Sequence, residues 1–173
     1  MKICMMTNTY LPHVGGVARS VSTFAEEFQR QGHEVLVVAP QFDGKPLAAK
    51  AEAIVERVPS LRNFNGSGFS VRLPLAAALS DRLEAFQADI IHAHHPFLLG
   101  DTALRIAMNK NLPIVFTHHT RYEDYTHYLP FSETLREVAV QIPTHFANLC
   151  DGVIAPSESI APIKMSAFHS TSQ

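Results

Sequence analysis

Charge is scarce in this sequence and neither sign dominates. Charged residues make up 17% of the 173 positions, with 14 lysines and arginines against 16 acids and a formal net charge of −2. That excludes a nucleic-acid binder working by bulk positive charge and leaves room only for a local basic patch. Cysteine is nearly absent. Cys4 and Cys150 lie far apart inside apolar runs and read as small buried hydrophobes in a reducing compartment, not as a disulfide framework. No run approaches the ~18 to 20 apolar residues that span a bilayer. The opening "MKICMMTNTY" has one lysine and four consecutive apolar residues, too few for a signal peptide. The expected location is cytoplasmic. A hydrophobic content of 46% over this length supports one domain with a real core.

What is present is a regular alternation. "KICMMT" (2–7) reads as a buried strand. Val17, Val21, Phe24, Ala25 and Phe28 recur at helical spacing over 17–31, and Gly32 supplies the stop. "HEVLVVAP" (33–40) is an apolar strand and "AEAIVERVP" (51–59) a weaker one, followed by a loop at 63–69. Then come a helix (73–86), a strand (88–95), a helix (100–111), a strand (112–119), a helix bent or broken near Pro143 (132–150) and a last strand (151–157). Strands buried on both faces need helices above and below, so the spacing predicts an α/β domain with a doubly wound parallel sheet. Ligands of such sheets bind beyond the carboxyl ends of the strands. There the sequence places "YLPHVGG", "HAHHPF", "THHTRYEDY" and "PSES".

The glycines and histidines of those segments admit several readings. A dinucleotide site would show G-x-G-x-x-G and an acid after the second strand; only Gly15-Gly16 is present, and that strand ends in Ala39-Pro40. Two glycines at a helix start let backbone amides approach a phosphate, whereas a tight turn with positive φ would need only one. Ten histidines are many for this length, and five cluster as His92, His94, His95, His118 and His119. Zinc is disfavoured because acids and cysteines are scarce beside them, and strand alternation lets only part of each cluster converge. Structural hydrogen bonding or substrate contact fits better, the neutral imidazoles being able to donate to sugar hydroxyls or to a developing oxyanion. Arg121, Tyr122, Glu123, Asp124 and Tyr125 directly after His119 add charged groups and aromatic platforms suited to a polyol, against the reading of an ordinary solvated loop.

"TYLPHVGGVARSVSTFAEEFQRQGHEVLVVAP", "HAHHPFLLGDTALRIA", "PIVFTHHTRYEDYTHY" and "ANLCDGVIAPSES" resemble, in order, four blocks of the family 4 retaining glycosyltransferases of GT-B architecture. The nearest branch is the bacterial one that includes diacylglycerol glucosyltransferases. The resemblance runs from residue 2 to about residue 160. It implies the amino-terminal, Rossmann-like acceptor domain of an enzyme that moves a hexose from a nucleotide diphosphate sugar to an acceptor hydroxyl with retention. By that resemblance Gly15 and Gly16 approach the donor diphosphate, and His119 lies near the transferred sugar. His94 is placed with Arg121, Tyr122, Glu123 and Asp124 on the acceptor side, and Ser157 and Glu158 match the turn before the interdomain segment. The nucleotide sugar is a co-substrate, and neither a cofactor nor a metal is implied.

The sequence departs from the family in one respect. The resemblance covers residues 1–160 as a single domain, and the 161–173 tail, with Pro162 and "HSTSQ", matches no donor-binding domain and lacks E-x7-E. The expectation is therefore an acceptor domain inactive on its own, with a non-catalytic binding or interaction module as the alternative and a small NAD enzyme as a third reading. Self-association through the surface the second domain would cover is a further expectation. Lys45, Lys50, Arg57, Arg62 and Arg72, with Leu61, Phe64 and Phe69, read as a solvated loop first and a shallow contact at the inner membrane face second.

Overall fold

Segments 3–6 and 35–39 are apolar at every position, so strands built from them must be covered on both faces. The computed structural model of the protein describes residues 1–42, 47–48, 52, 54–61, 71–72, 77–119 and 133–155. Within these, β1 (Lys2–Met6), β2 (Glu34–Pro40), β3 (Val55–Val58), β6 (Ile90–Ala93), β7 (Ile114–Thr117) and β8 (Gly152–Ile154) form one parallel sheet in the order β3-β2-β1-β6-β7-β8. The pairing runs Lys2↔Glu34 to Met6↔Val38 on one side of β1 and Ile3↔Ile90 to Met6↔Ala93 on the other. The doubly wound sheet expected from the sequence is the one observed.

Alternation along each strand divides the core in two. Ile3, Met5, Val35, Val37 and Ala39 pack against Val21 and Ala25 of α1 (Gly16–Arg30). Cys4, Met6, Leu36, Val38, Ile91, Ala93, Ile114 and Phe116 face the opposite way. They meet Leu83 of α2 (Ala77–Phe86), Leu99, Ala103 and Ala107 of α3 (Leu99–Lys110), and Phe146 and Ala147 of α4 (Glu133–Asn148). Cys4 is fully buried, and burial pushes its thiol up to about 12, so it behaves as a hydrophobe.

The helix ends follow the sequence signals. Gly32 at φ +85 donates to the carbonyl of Gln29, and His33 N–H reaches the carbonyl of Phe28 (both 3.0 Å), which closes α1 in a left-handed cap. Asn111 plays the same part after α3. At the amino ends of the strands, Asp89 Oδ2 accepts from Lys2 N–H at 2.6 Å and Asp151 Oδ2 from Ile114 N–H at 2.8 Å. These two carboxylates lock the register of β1 and β7 and leave the opposite edge to carry the loops.

Two features differ from the sequence reading. A small antiparallel ribbon, β4 (Ser60–Leu61) with β5 (Val71–Arg72), flanks the expected loop; strands of two residues carry no detectable periodicity. α4 is continuous across Pro143, so the helix expected to be bent or broken there is not broken; the proline is itself buried and removes a single intrahelical N–H. Among the described residues no helix is long and apolar enough to cross a membrane.

Candidate functional site

The winding direction reverses between β1 and β6, and at such a switch point adjacent loops diverge to leave a crevice beyond the strand ends. The residues around it are 7–16 after β1, 94–98 after β6 and 118–119 after β7.

Asn8 organises the first two loops. Its backbone N–H donates to His95 Nδ1 at 3.1 Å, its side-chain amide donates to the carbonyl of Phe97 at 3.0 Å, and its Oδ1 accepts the N–H of Leu99 at 3.0 Å. One carboxamide from β1 thus supplies the cap that α3 lacks from Leu98. The turn it holds is tight. Leu98 adopts φ 57, and a Cβ on Gly100 would lie 1.8 Å from the carbonyl oxygen of His95. Neither Asn8 nor Gly100 was marked by the motif reading. The available signal was a carboxamide directly after a buried strand and a glycine at the opening of an otherwise regular helix.

The "YLPH" part of the first loop is anchored from β3. Arg57 donates from Nη2 to the carbonyl of Leu11 at 2.7 Å and from Nε to Glu52 Oε1 at 2.9 Å, and its guanidinium lies 5.8 Å from the centroid of the buried Tyr10 ring. Burial pushes the Tyr10 phenol above its ordinary 10. Arg57 is therefore part of the scaffold, not a cation held out for a membrane.

Gly15 and Gly16 open α1. Gly15 is extended, at φ −169 and ψ 160, and no side chain caps the first turn. Neither glycine has a positive φ, so backbone conformation does not call for the pair. Space distinguishes them: a Cβ on Gly15 would meet the His13 ring at 3.3 Å, whereas one on Gly16 would meet nothing within 4 Å. The first-turn amides and the positive end of the helix point out of the carboxyl edge of the sheet, an arrangement suited to an anion.

The histidines form a column on the α1 face. His92 Nε2 lies 2.7 Å from Thr117 Oγ1, the His92 and His94 ring centroids are 4.1 Å apart, and His94 Nδ1 lies 2.9 Å from His119 Nε2. Phe24 of α1 covers the column at 5.5 Å from His92 and 6.0 Å from His94. His94 is buried, with 1% exposure, while His119 is half-buried at the outer end. His118 turns to the other face, where its ring meets the edge of Phe116 at 5.7 Å. Burial holds His92, His94 and His95 neutral. It lowers His92 from 6.5 to about 4 and His95 to about 3, with the neighbouring His119 adding to each, and it lowers His94 well below 6.5. Among the described residues no group of three or more His, Cys, Asp or Glu is placed to hold a metal ion.

The structure thus brings His94 and His119 together beside the switch point, with Gly15 and Gly16 at the helix start. Arg121, Tyr122, Glu123 and Asp124 lie outside the described residues, as do Ser157 and Glu158.

Comparison with known proteins places this geometry. The profile of Glycosyltransferase Family 4 matches residues 14–163. An alpha-monoglucosyldiacylglycerol synthase of Streptococcus pneumoniae is 34% identical over 168 residues, which cover 92% of this chain and 36% of that protein. A protein of the same name from Acholeplasma laidlawii is 29% identical over 92% of this chain and 42% of its own length. A GDP-mannose-dependent alpha-mannosyltransferase of Mycobacterium tuberculosis is 30% identical over 162 residues, 91% of this chain and 42% of that protein. The chain therefore spans about two fifths of the length of these curated relatives. The solved sucrose-phosphate synthase from Thermosynechococcus elongatus shares the fold, with a TM-score of 0.67 at 14% identity, over 98% of this chain and 45% of that one. With the profile matched across most of its residues and the expected sheet in place, the chain belongs to glycosyltransferase family 4.

Proposed function

We propose that the protein is the acceptor-side domain, residues 1–160, of a retaining hexosyltransferase that takes a nucleotide diphosphate sugar and glycosylates a lipid hydroxyl such as that of diacylglycerol. The observation carrying this reading is the His94–His119 pair, 2.9 Å apart beyond the carboxyl ends of β6 and β7, on the face that Phe24 of α1 covers. The lipid acceptor is supported by the names of the two synthases above, and the mannosyltransferase keeps the identity of the hexose open.

In this reaction the bond from the sugar's anomeric carbon to the diphosphate oxygen breaks and a bond from the acceptor oxygen forms on the same face. The acceptor's proton passes to the departing phosphate oxygen. Gly15 and Gly16 let first-turn amides of α1 approach the diphosphate, where the helix field favours the growing negative charge by up to ~2 kcal/mol. His119 hydrogen-bonds a hydroxyl of the transferred sugar, and Arg121, Tyr122, Glu123 and Asp124 line the acceptor side. Such an enzyme works at the inner face of the membrane, where its acceptor resides.

The test is a transfer assay on the product of the complete reading frame, with labelled UDP-glucose or GDP-mannose and diacylglycerol in mixed micelles. Lipid-linked α-hexose is the expected product. Saturable acceptor binding without transfer from any nucleotide sugar would overturn the enzyme reading in favour of the binding module.

A further inference from the structure

The buried member of the histidine pair has a nitrogen that the proposed reaction does not use, and that nitrogen fixes the protonation of its neighbour. His94 is 1% exposed and neutral, so it carries a single N–H to be placed on one of its two nitrogens. Nδ1 faces His119 Nε2 at 2.9 Å, whereas Nε2 is buried with no hydrogen-bond partner among the described residues. The rings flanking it, His92 at 4.1 Å and Phe24 at 6.0 Å between centroids, hold its plane. A buried N–H without an acceptor is rarer and costlier than an acceptor left with a bare lone pair. The proton therefore belongs on Nδ1, inside the short contact.

We infer that His94 is a positioning residue that donates its Nδ1–H to Nε2 of His119, so that His119 carries its own proton on Nδ1 and meets its substrate as a hydrogen-bond donor, not as a base. The neighbouring His95 follows the same logic from the other direction. A backbone amide can only donate, so the 3.1 Å bond from Asn8 N–H makes His95 Nδ1 an acceptor and puts that ring's proton on Nε2. Adjacent histidines on opposite alternations of one chain segment are thereby held as opposite tautomers. Only the last step, contact between His119 and a substrate, rests on the function proposed above. The tautomer does not.

The experiment reads ring nitrogens directly, on the chain itself. The protein is labelled with 15N-histidine, His119 is assigned through the signals lost in His119→Asn, and long-range proton–nitrogen correlations are recorded above pH 6.5. His119 is expected to show a protonated Nδ1 and an unprotonated Nε2, with that tautomer ahead by about tenfold or more. In His94→Leu this preference collapses to a mixture. In His94→Asn, whose amide places an N–H where Nδ1 stood, it is retained. A protonated Nε2 on His119 in the unmodified protein overturns the assignment, as does an unchanged preference in His94→Leu. Should His94→Leu fail to fold, the unmodified spectrum and His94→Asn decide it. The expected tautomer together with full turnover of His119→Ala in the complete enzyme would uphold the pairing and refute contact with the sugar, so the two readings fail separately.

Discussion

Replacing Gly100 with alanine adds one methyl group at the most crowded of the described glycines. The new Cβ would sit 1.8 Å from the carbonyl oxygen of His95 and 2.8 Å from its carbonyl carbon. Both are backbone atoms, so relief requires moving the start of α3 by more than an ångström from the 95–98 turn. Overpacking of this kind costs about 1–3 kcal/mol. The shift also breaks the bonds from Leu99 N–H to Asn8 Oδ1 and from Gly100 N–H to the Phe97 carbonyl, worth about 1 kcal/mol each. Alanine's better helix propensity returns about 1 kcal/mol at most. The net loss is about 2–4 kcal/mol, which for a domain of this size lowers the melting temperature by on the order of 10 °C. Thermal unfolding followed by far-ultraviolet circular dichroism measures it. Gly16→Ala is the internal control, because its Cβ meets nothing within 4 Å; its stability should be unchanged or slightly raised, while transfer by the complete enzyme falls if the donor diphosphate approaches there. A Gly100→Ala protein melting within about 2 °C of the parent would refute the steric argument.

In the complete enzyme His119→Ala should lower kcat by on the order of 10² or more with little change in folding. His118→Ala should instead lower the melting temperature and spare turnover, and the reverse pattern would move the site to His118. Stability should respond to acid through His92 and His95. Their folded values lie near about 4 and about 3 against 6.5 unfolded, so the unfolded chain binds the extra protons. Stability is complete above pH 6.5 and falls toward pH 4 by up to about 1.4 kcal/mol per unit for each ring. A urea midpoint that stays flat across that window would contradict their burial as neutral groups. Chelators should leave turnover of the complete enzyme intact; activity lost to chelation and restored by zinc alone would reinstate a metal centre. Flotation with anionic vesicles at low salt tests the basic segment 45–72, and an absence of binding there removes lipid contact from it.

Much of the sheet was legible because its strands are apolar on both alternations and its helices are amphipathic. Val17, Val21, Phe24, Ala25 and Phe28 mark the covered face of α1, and Gly32 marks its end, as read. Strand ends were read too long: 88–95 became Ile90–Ala93, because His92 and Ala93 pair with β1 and β7 whereas His94 and His95 are buried beyond the last paired position. Ordering the site was harder. The division of His118 and His119 between two faces follows from alternation alone, but the bond from His94 to His119 joins residues 25 apart in sequence. That bond exists only because β6 and β7 are neighbours, and the strand order is not written in either segment. Asn8 escaped notice for the same reason, as its three partners lie in the turn after β6 and at the first residue of α3.

Asn8 also sets when the site can exist during folding. Its bonds to His95, Phe97 and Leu99 close separations of 87 to 91 residues, and parallel pairing of β1 with β6 offers no local shortcut to them. Loop closure over such spans is entropically costly and precedes any reward from the contact. α1 and β2 can form beside β1 while the chain is still emerging, yet the crevice has no second wall until β6 docks. The amides of Asn8 and Leu99 should therefore gain protection from hydrogen exchange together and late, and a nascent chain that ends before β6 carries the glycine turn with nothing facing it.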